Sequence, residues 1–251
     1  MSVSSDRGVK RVIDFYRDES KVYDEKRFSK ASGRYGDLAE KEIILGMVDN
    51  WEGKRVVEVG CGTGRFSIEM AKRGAIVTAL DPAIEMLARV DEKIRNIPIK
   101  GTIKLINGSG YNLPFGDNQF DGCICLNVLN HLRDWDKVFS EIHRVVKPDG
   151  FFIMNFTNML SLYFPVALWV NLRQRSVLAD VYSRWDVLFQ VKKELYKAGF
   201  NPERITGIAS LPYFFPLRMN FLWGKVNDLL ANSALKQFIA NVYIHSRKRV
   251  Q

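Results

Sequence analysis

The chain is short of the residues that staple or metallate small proteins. It has 3 cysteines and 3 histidines in 251 residues. An odd set, Cys61, Cys123 and Cys125, builds no disulfide framework. Cys123 and Cys125 share one face of a strand but lack partners for a tetrahedral metal site. No metal site is expected. No internal repeat, low-complexity tract, nucleophile elbow or P-loop is present. The opening stretch MSVSSDRGVKRVIDFYRDES is charged throughout and has no apolar leader segment. Together with the cysteine count, this makes a reducing cytoplasm the expected compartment.

Long apolar runs are also scarce. Only Gly150–Leu172 goes without charge, over 23 positions. Asn155, Thr157, Asn158, Ser161 and Pro165 interrupt it, so a buried strand followed by an apolar helix, Leu160–Leu172, is expected rather than a membrane span. What is present is an ordinary globular composition, 47% hydrophobic and 26% charged, at a length that buries a core without staples.

The formal charge of +9 is uneven. Residues 1–50 balance ten Lys/Arg against ten Asp/Glu, whereas residues 151–251 carry thirteen against five. A basic surface attracts nucleic acid, anionic lipid or an acidic substrate, and it also occurs with no charged partner at all.

Short apolar runs alternate with amphipathic stretches, the rhythm of βαβ units and a parallel sheet. The expected strands are Arg55–Val59, Ile76–Leu80, Thr102–Ile106, Asp121–Leu126, Phe151–Phe156, Arg204–Ser210 and Phe238–Ser246. Helix starts are read at Asp37, with Glu40 completing a capping box, at Pro82, at Asp134 before Trp135–Val146, and at Asp186 before Val187–Ala198. Residues 1–50 read as a helical cap over the sheet's carboxyl edge. Residues 51–251 form the main domain, with insertions at about 157–185 and 211–235.

The strongest local signal is Val56-Val57-Glu58-Val59-Gly60-Cys61-Gly62-Thr63-Gly64-Arg65. A strand runs into glycines, which permit a tight turn and close approach of a ligand. The dinucleotide fingerprint needs its third glycine where Arg65 or Ser67 stands. The spacing is instead Gly-x-Gly-x-Gly, with Glu58 beside it. A carboxylate there opposes a pyrophosphate and favours a ligand bearing ammonium and sulfonium charge. Asp81 closes the second expected strand, placed to accept hydrogen bonds from ribose hydroxyls or to cap the next helix.

These residues, with Leu80-Asp81-Pro82 and Leu113-Pro114-Phe115-Gly-Asp-Asn-Gln-Phe120-Asp121, resemble the class I S-adenosylmethionine-dependent methyltransferases, in the branch of ubiquinone/menaquinone-type and other small-molecule enzymes. The motif resemblance covers roughly residues 50–155. It implies a Rossmann-like α/β fold: a seven-stranded sheet with an antiparallel last strand, helices on both faces, and insertions after strands 5 and 6. It implies S-adenosylmethionine as cofactor, with the loop of Gly60, Cys61, Gly62 and Gly64 at the methionine portion and Glu58 supporting it. Asp81 and Pro82 would sit at the ribose, Ser109 and Gly110 beside adenine, and Asn127 near the methionine amino end. Similar sequences often have Asp where Ser109 stands, so the adenine contact here lacks charge. Tyr23–Phe28 and Gly33-Arg34-Tyr35 resemble segments that close over the cofactor, and Arg34 offers a fork for its carboxylate.

Methyl transfer needs alignment and dryness, and a base only when the acceptor holds a proton. His131 is the candidate base; hydrogen bonding in a structural role is its other reading, as for His143 and His245. Apolar residues of the two insertions, with the basic excess in the same third, favour a small hydrophobic or lipid-like acceptor. The same segments suit peripheral membrane contact, mutual packing or a homodimer interface. An RNA or protein acceptor is the rival within the class, although the basic residues are dispersed. A non-enzymatic S-adenosylmethionine-binding module is the rival outside it.

Overall fold

A computed structural model describes residues 7–161, 164–165, 184–208 and 239–250. The expected apolar helix Leu160–Leu172 and the insertion at 211–235 lie largely outside the described residues.

Three helices come first: α1 (Arg7–Glu19), α2 (Tyr23–Phe28) and α3 (Ala31–Leu45). The alternating part follows as β1 (Arg55–Val59), α4 (Arg65–Lys72), β2 (Ile76–Asp81), α5 (Ile84–Ile94), β3 (Thr102–Asn107), β4 (Phe120–Cys125), α6 (Trp135–Val145) and β5 (Val146–Thr157). The chain closes with α7 (Leu188–Lys197), β6 (Phe200–Ile208) and β7 (Asn241–Lys248). The seven strands form one sheet in the order β3-β2-β1-β4-β5-β7-β6. β7 runs antiparallel to both β5 and β6, and the remaining pairs β2–β3, β1–β2, β1–β4 and β4–β5 are parallel.

Alternation along β1 sorts its side chains to two cores. Val57 and Val59 join Cys123, Cys125, Phe152 and Met154 under α6 and α7. Val56 joins Ile124, Phe151 and Ile153 under α3 and α4. Both faces are therefore covered, as a mostly parallel sheet requires. The strand order reverses between β1 and β4, and the crevice at that switch lies at the carboxyl ends of the strands.

Several expected boundaries shift. β5 begins at Val146 rather than Phe151, because Val146 already pairs with Phe120. β6 begins at Phe200, paired with Lys248. Asp37 starts no helix: it lies inside α3, and its carboxylate instead meets Lys41 at 2.8 Å and Arg65 at 2.7 Å. Asp186 does not cap α7, because Arg184 holds its carboxylate at 2.8 Å. Asp134 occupies the cap position of α6, but its carboxylate pairs with Lys137 at 2.8 Å. In each case the carboxylate is held by a nearby cation instead of a helix amide.

Candidate active site

The turn after β1 is built for close approach. Gly60, Gly62 and Gly64 all have positive φ (73°, 53° and 78°). A Cβ on Gly60 would stand 2.2 Å from Val128 Cγ2, so only glycine fits there. A Cβ on Gly62 would meet nothing within 4 Å, so this position opens onto free space. The amides of Gly60 and Cys61 both donate to the Leu80 carbonyl, at 2.7 and 3.0 Å, which stitches the turn to β2.

At the end of β2, Asp81 accepts from Gly62 N at 2.8 Å and from Ala83 N at 2.9 Å. Each carboxylate oxygen keeps a further acceptor site. Burial raises the Asp81 pKa from 3.8 to about 6 against those two amides, which pull it down. Glu58 is 3% exposed and accepts a hydrogen bond from Ser67 Oγ. Burial raises its pKa from 4.5 to about 7, opposed by the Ser67 hydrogen bonds and by Arg65. Two carboxylates thus lie in one crevice with little solvent around them.

The crevice holds about 1050 Å³ of empty space, open mouth included. Glu58, Gly60, Cys61, Gly62, Asp81, Pro82, Ser109, Gly110, Asn127 and His131 all line it. Gly64 lies one residue behind the lining, where Val90 packs against its Cα. Arg34 lies elsewhere: it is exposed, and its guanidinium donates to the Ser29 carbonyl. Asn127 has φ 57° and is locked by a reciprocal pair with Asn155, at 2.6 and 2.8 Å. Ser109 Oγ accepts from Tyr111 N at 3.3 Å, which fixes its side chain beside Gly110.

From the N-terminal side, α1 lays Val9, Val12, Ile13 and Tyr16 along the crevice, the i, i+3, i+4, i+7 face of a helix. Tyr16 Oη is 2.9 Å from His131 Nε2, and the rings meet edge to face at 5.5 Å. Burial, with Tyr23 beside it, pushes the Tyr16 hydroxyl well above its ordinary pKa, so it keeps its proton. His143 and His245 lie outside the crevice: His143 packs on Phe200, and His245 stacks on Phe151.

Sequence reasoning missed Glu40 and Arg65. Arg65 lines the crevice at the first residue of α4 and pairs with Asp37 and Glu40, both at 2.7 Å. Glu40 also accepts from Asn127 Nδ2 at 3.1 Å and from Tyr243 Oη at 3.0 Å. Its carboxylate therefore ties α3 to the crevice loop and to β7. Asp24 on α2 adds a second tie, accepting from Thr63 Oγ1 at 2.7 Å and pairing with Lys93 at 2.6 Å.

A glycine turn at the β1/β4 switch, opposite an acidic residue ending β2, is a cradle for an adenosine-bearing ligand. Residues 57–154 match the methyltransferase domain family. The sequence is similar to that of a demethylmenaquinone methyltransferase of Desulfitobacterium hafniense, 32% identical over 154 residues, which is 55% of this chain and 60% of that protein. A sterol 4-C-methyltransferase of Caenorhabditis elegans is 32% identical over 103 residues, 41% of this chain and 31% of that protein. The chain thus spans less than two thirds of the length of these relatives. The fold is that of the class I methyltransferases. A magnesium protoporphyrin IX methyltransferase of Synechocystis PCC 6803, crystallised with bound SAH, superposes with a TM-score of 0.69 at 17% identity, over 95% of this chain and 99% of that one. The quinone-type resemblance read from the motifs agrees with these relatives. The matched stretch 57–154 holds the glycine turn, Asp81, Ser109, Asn127 and His131, whereas Tyr16 and Glu40 come from helices that precede it.

Proposed function

We propose that this chain is an S-adenosylmethionine-dependent methyltransferase acting on a small, apolar, lipid-like acceptor. The observation that carries the proposal is the pairing of two buried carboxylates, Glu58 and Asp81, with a turn whose Gly62 opens on the crevice. The donor set fits the group. Glu58 offers negative charge to an ammonium, Asp81 has acceptor sites left for ribose hydroxyls, and Ser109 and Gly110 flank the place for adenine. A diphosphate would meet two carboxylates and no free cation, since Arg65 is already neutralised by Asp37 and Glu40.

When bound, S-adenosylmethionine supplies a methyl group already activated on sulfur and leaves as S-adenosylhomocysteine. The chain's own task is to bind, align and exclude water. The α1 face of Val9, Val12 and Ile13 makes the acceptor side apolar. Tyr16 fixes the His131 ring, and His131 takes the proton from an acceptor hydroxyl. The D. hafniense relative's name points to a demethylated quinone, which is apolar and carries such a hydroxyl when reduced. An acceptor of this kind resides in membranes, so peripheral membrane contact belongs to the reading. A homodimer does not depend on it.

Titration calorimetry with S-adenosylmethionine, S-adenosylhomocysteine, NAD and NADP tests the cofactor. Binding of the two sulfur nucleosides and of neither dinucleotide is expected; binding of a dinucleotide alone would overturn the assignment. Release of S-adenosylhomocysteine with a demethylated quinol, and with neither RNA nor protein, tests the acceptor class.

A further inference from the structure

The solvent side of α7 has an unusual make-up. Phe189 is 79% exposed and Tyr196 42% exposed, with Lys193 and Lys197 exposed on the same face at helical spacing. Lys192 borders this face, and exposed Arg249 lies over the Tyr196 ring at 5.6 Å. The one acidic residue of α7, Glu194, turns away to pair with Arg184 at 3.0 Å. The buried side of the helix is held by Val191 and Leu195. The exposed side is thus basic and aromatic with no carboxylate of its own.

The segment leading into α7 adjoins the His131 side of the crevice. Arg184 N donates to the carbonyl of Asn130, next to His131, at 2.7 Å. Asp186 bridges to Asn158, and its carbonyl accepts from Met159 N at 2.8 Å. That links the base of α7 to the end of β5, where Met159 and Leu160 are 43% and 51% exposed. Three large apolar side chains, Met159, Leu160 and Phe189, therefore stand in water on the two segments that this link joins, followed by the lysines along α7.

We infer that this surface docks on the face of an anionic phospholipid bilayer, with Met159, Leu160 and Phe189 entering the acyl boundary and Lys193, Lys197 and Arg249 meeting the headgroups. The argument is charge complementarity joined to apolar exposure. A lysine near an anionic membrane contributes about fivefold in affinity, and exposed aromatics settle in the interface. A nucleic acid would use the same charges but leaves Met159 and Leu160 without a function. The orientation sets the His131 side of the crevice at the bilayer, the place from which a lipid-like acceptor enters. That last step rests on the function proposed above, whereas the docking surface does not.

The test is flotation of the full chain with vesicles of phosphatidylcholine alone, and of phosphatidylcholine with phosphatidylglycerol. Binding to the anionic vesicles only, declining steeply with added salt, is expected. K193Q/K197Q should weaken it about 25-fold, and Phe189→Ser should also weaken it with the salt dependence retained. Calorimetric S-adenosylmethionine binding by both variants should equal the parent's, which shows that they fold. Equal vesicle binding by parent and variants overturns the surface, as does a failure of the parent to bind. Displacement from vesicles by polyuridine at lower salt-corrected concentration than by free anionic lipid favours RNA and overturns it as well. Loss of S-adenosylmethionine binding in the parent would instead strike the proposed function and leave the docking result standing.

Discussion

Replacing Glu58 by Gln should make the ligand-free protein more stable and the enzyme worse. Glu58 is buried under α4, and its pKa rises from 4.5 to about 7 because burial disfavours the anion. A carboxyl group whose folded pKa is raised leaves stability intact below its unfolded pKa and removes it as pH climbs through the folded one. Above neutrality the removal is about 3 kcal/mol, at about 1.4 kcal/mol per factor of ten. Gln keeps an oxygen to accept from Ser67 Oγ and has no charge to bury. For a chain of this size the gain corresponds to about 6 °C or more in Tm at pH 8. At pH 5 the folded carboxyl is already protonated and the unfolded one only partly ionised, so the gain should shrink to about 1 kcal/mol. Thermal melts followed by circular dichroism at both pH values measure this directly. S-adenosylmethionine should reverse the order at pH 8. A ligand at a thousand times its Kd adds about 4.1 kcal/mol to the parent, more than the about 3 kcal/mol advantage of the Gln variant, which lacks the charge for the ammonium and should gain little. A Gln variant no more stable than the parent at pH 8, or equally stabilised at pH 5, would refute the argument that Glu58 is a strained charge held for a cation.

Three further outcomes follow from the same geometry. Asp81→Asn removes one of the two acceptor oxygens that hold Gly62 N and Ala83 N, so S-adenosylmethionine binding measured by calorimetry should fall at least about tenfold. His131→Gln and Tyr16→Phe should each lower kcat by about a hundredfold or more and leave the cofactor KM near the parent's, with the acidic limb of the pH–rate profile lost in the His variant; full turnover without His131 would remove it from the mechanism. Ser109→Asp should leave S-adenosylmethionine binding no weaker, because a carboxylate at that position accepts from the adenine amino group at least as well; a tenfold loss would refute the alignment of Ser109 with adenine.

What was legible in the sequence was whatever consecutive residues decide. β1 and the glycine turn follow from Val-Val-Glu-Val running into Gly-Cys-Gly-Thr-Gly, where positive φ and close approach are properties of the turn itself. Asp81 was found because it ends the next strand, at the distance one crossover requires. The antiparallel direction of the last strand needed the resemblance, and its insertion between β5 and β6 appears only in the structure, since periodicity carries no strand order. The misreadings share one cause. Asp37 with Glu40 has the spacing of a capping box and so reads as a helix start, but neither carboxylate serves the helix amides. Arg65 stands 28 residues from Asp37 and 25 from Glu40, and the fold brings its guanidinium between them. Because α3 already starts at Ala31, the amides near Asp37 are bonded inside the helix, and both carboxylates are left to Arg65. The capping box and the ion pair use the same letters of the sequence, and only the three-dimensional position of one arginine distinguishes them. The same fact explains why Glu40 was absent from the candidate site. Its role comes from holding Arg65, Asn127 and Tyr243 at once, and those partners converge only when α3, α4, the turn after β4 and β7 are already in place.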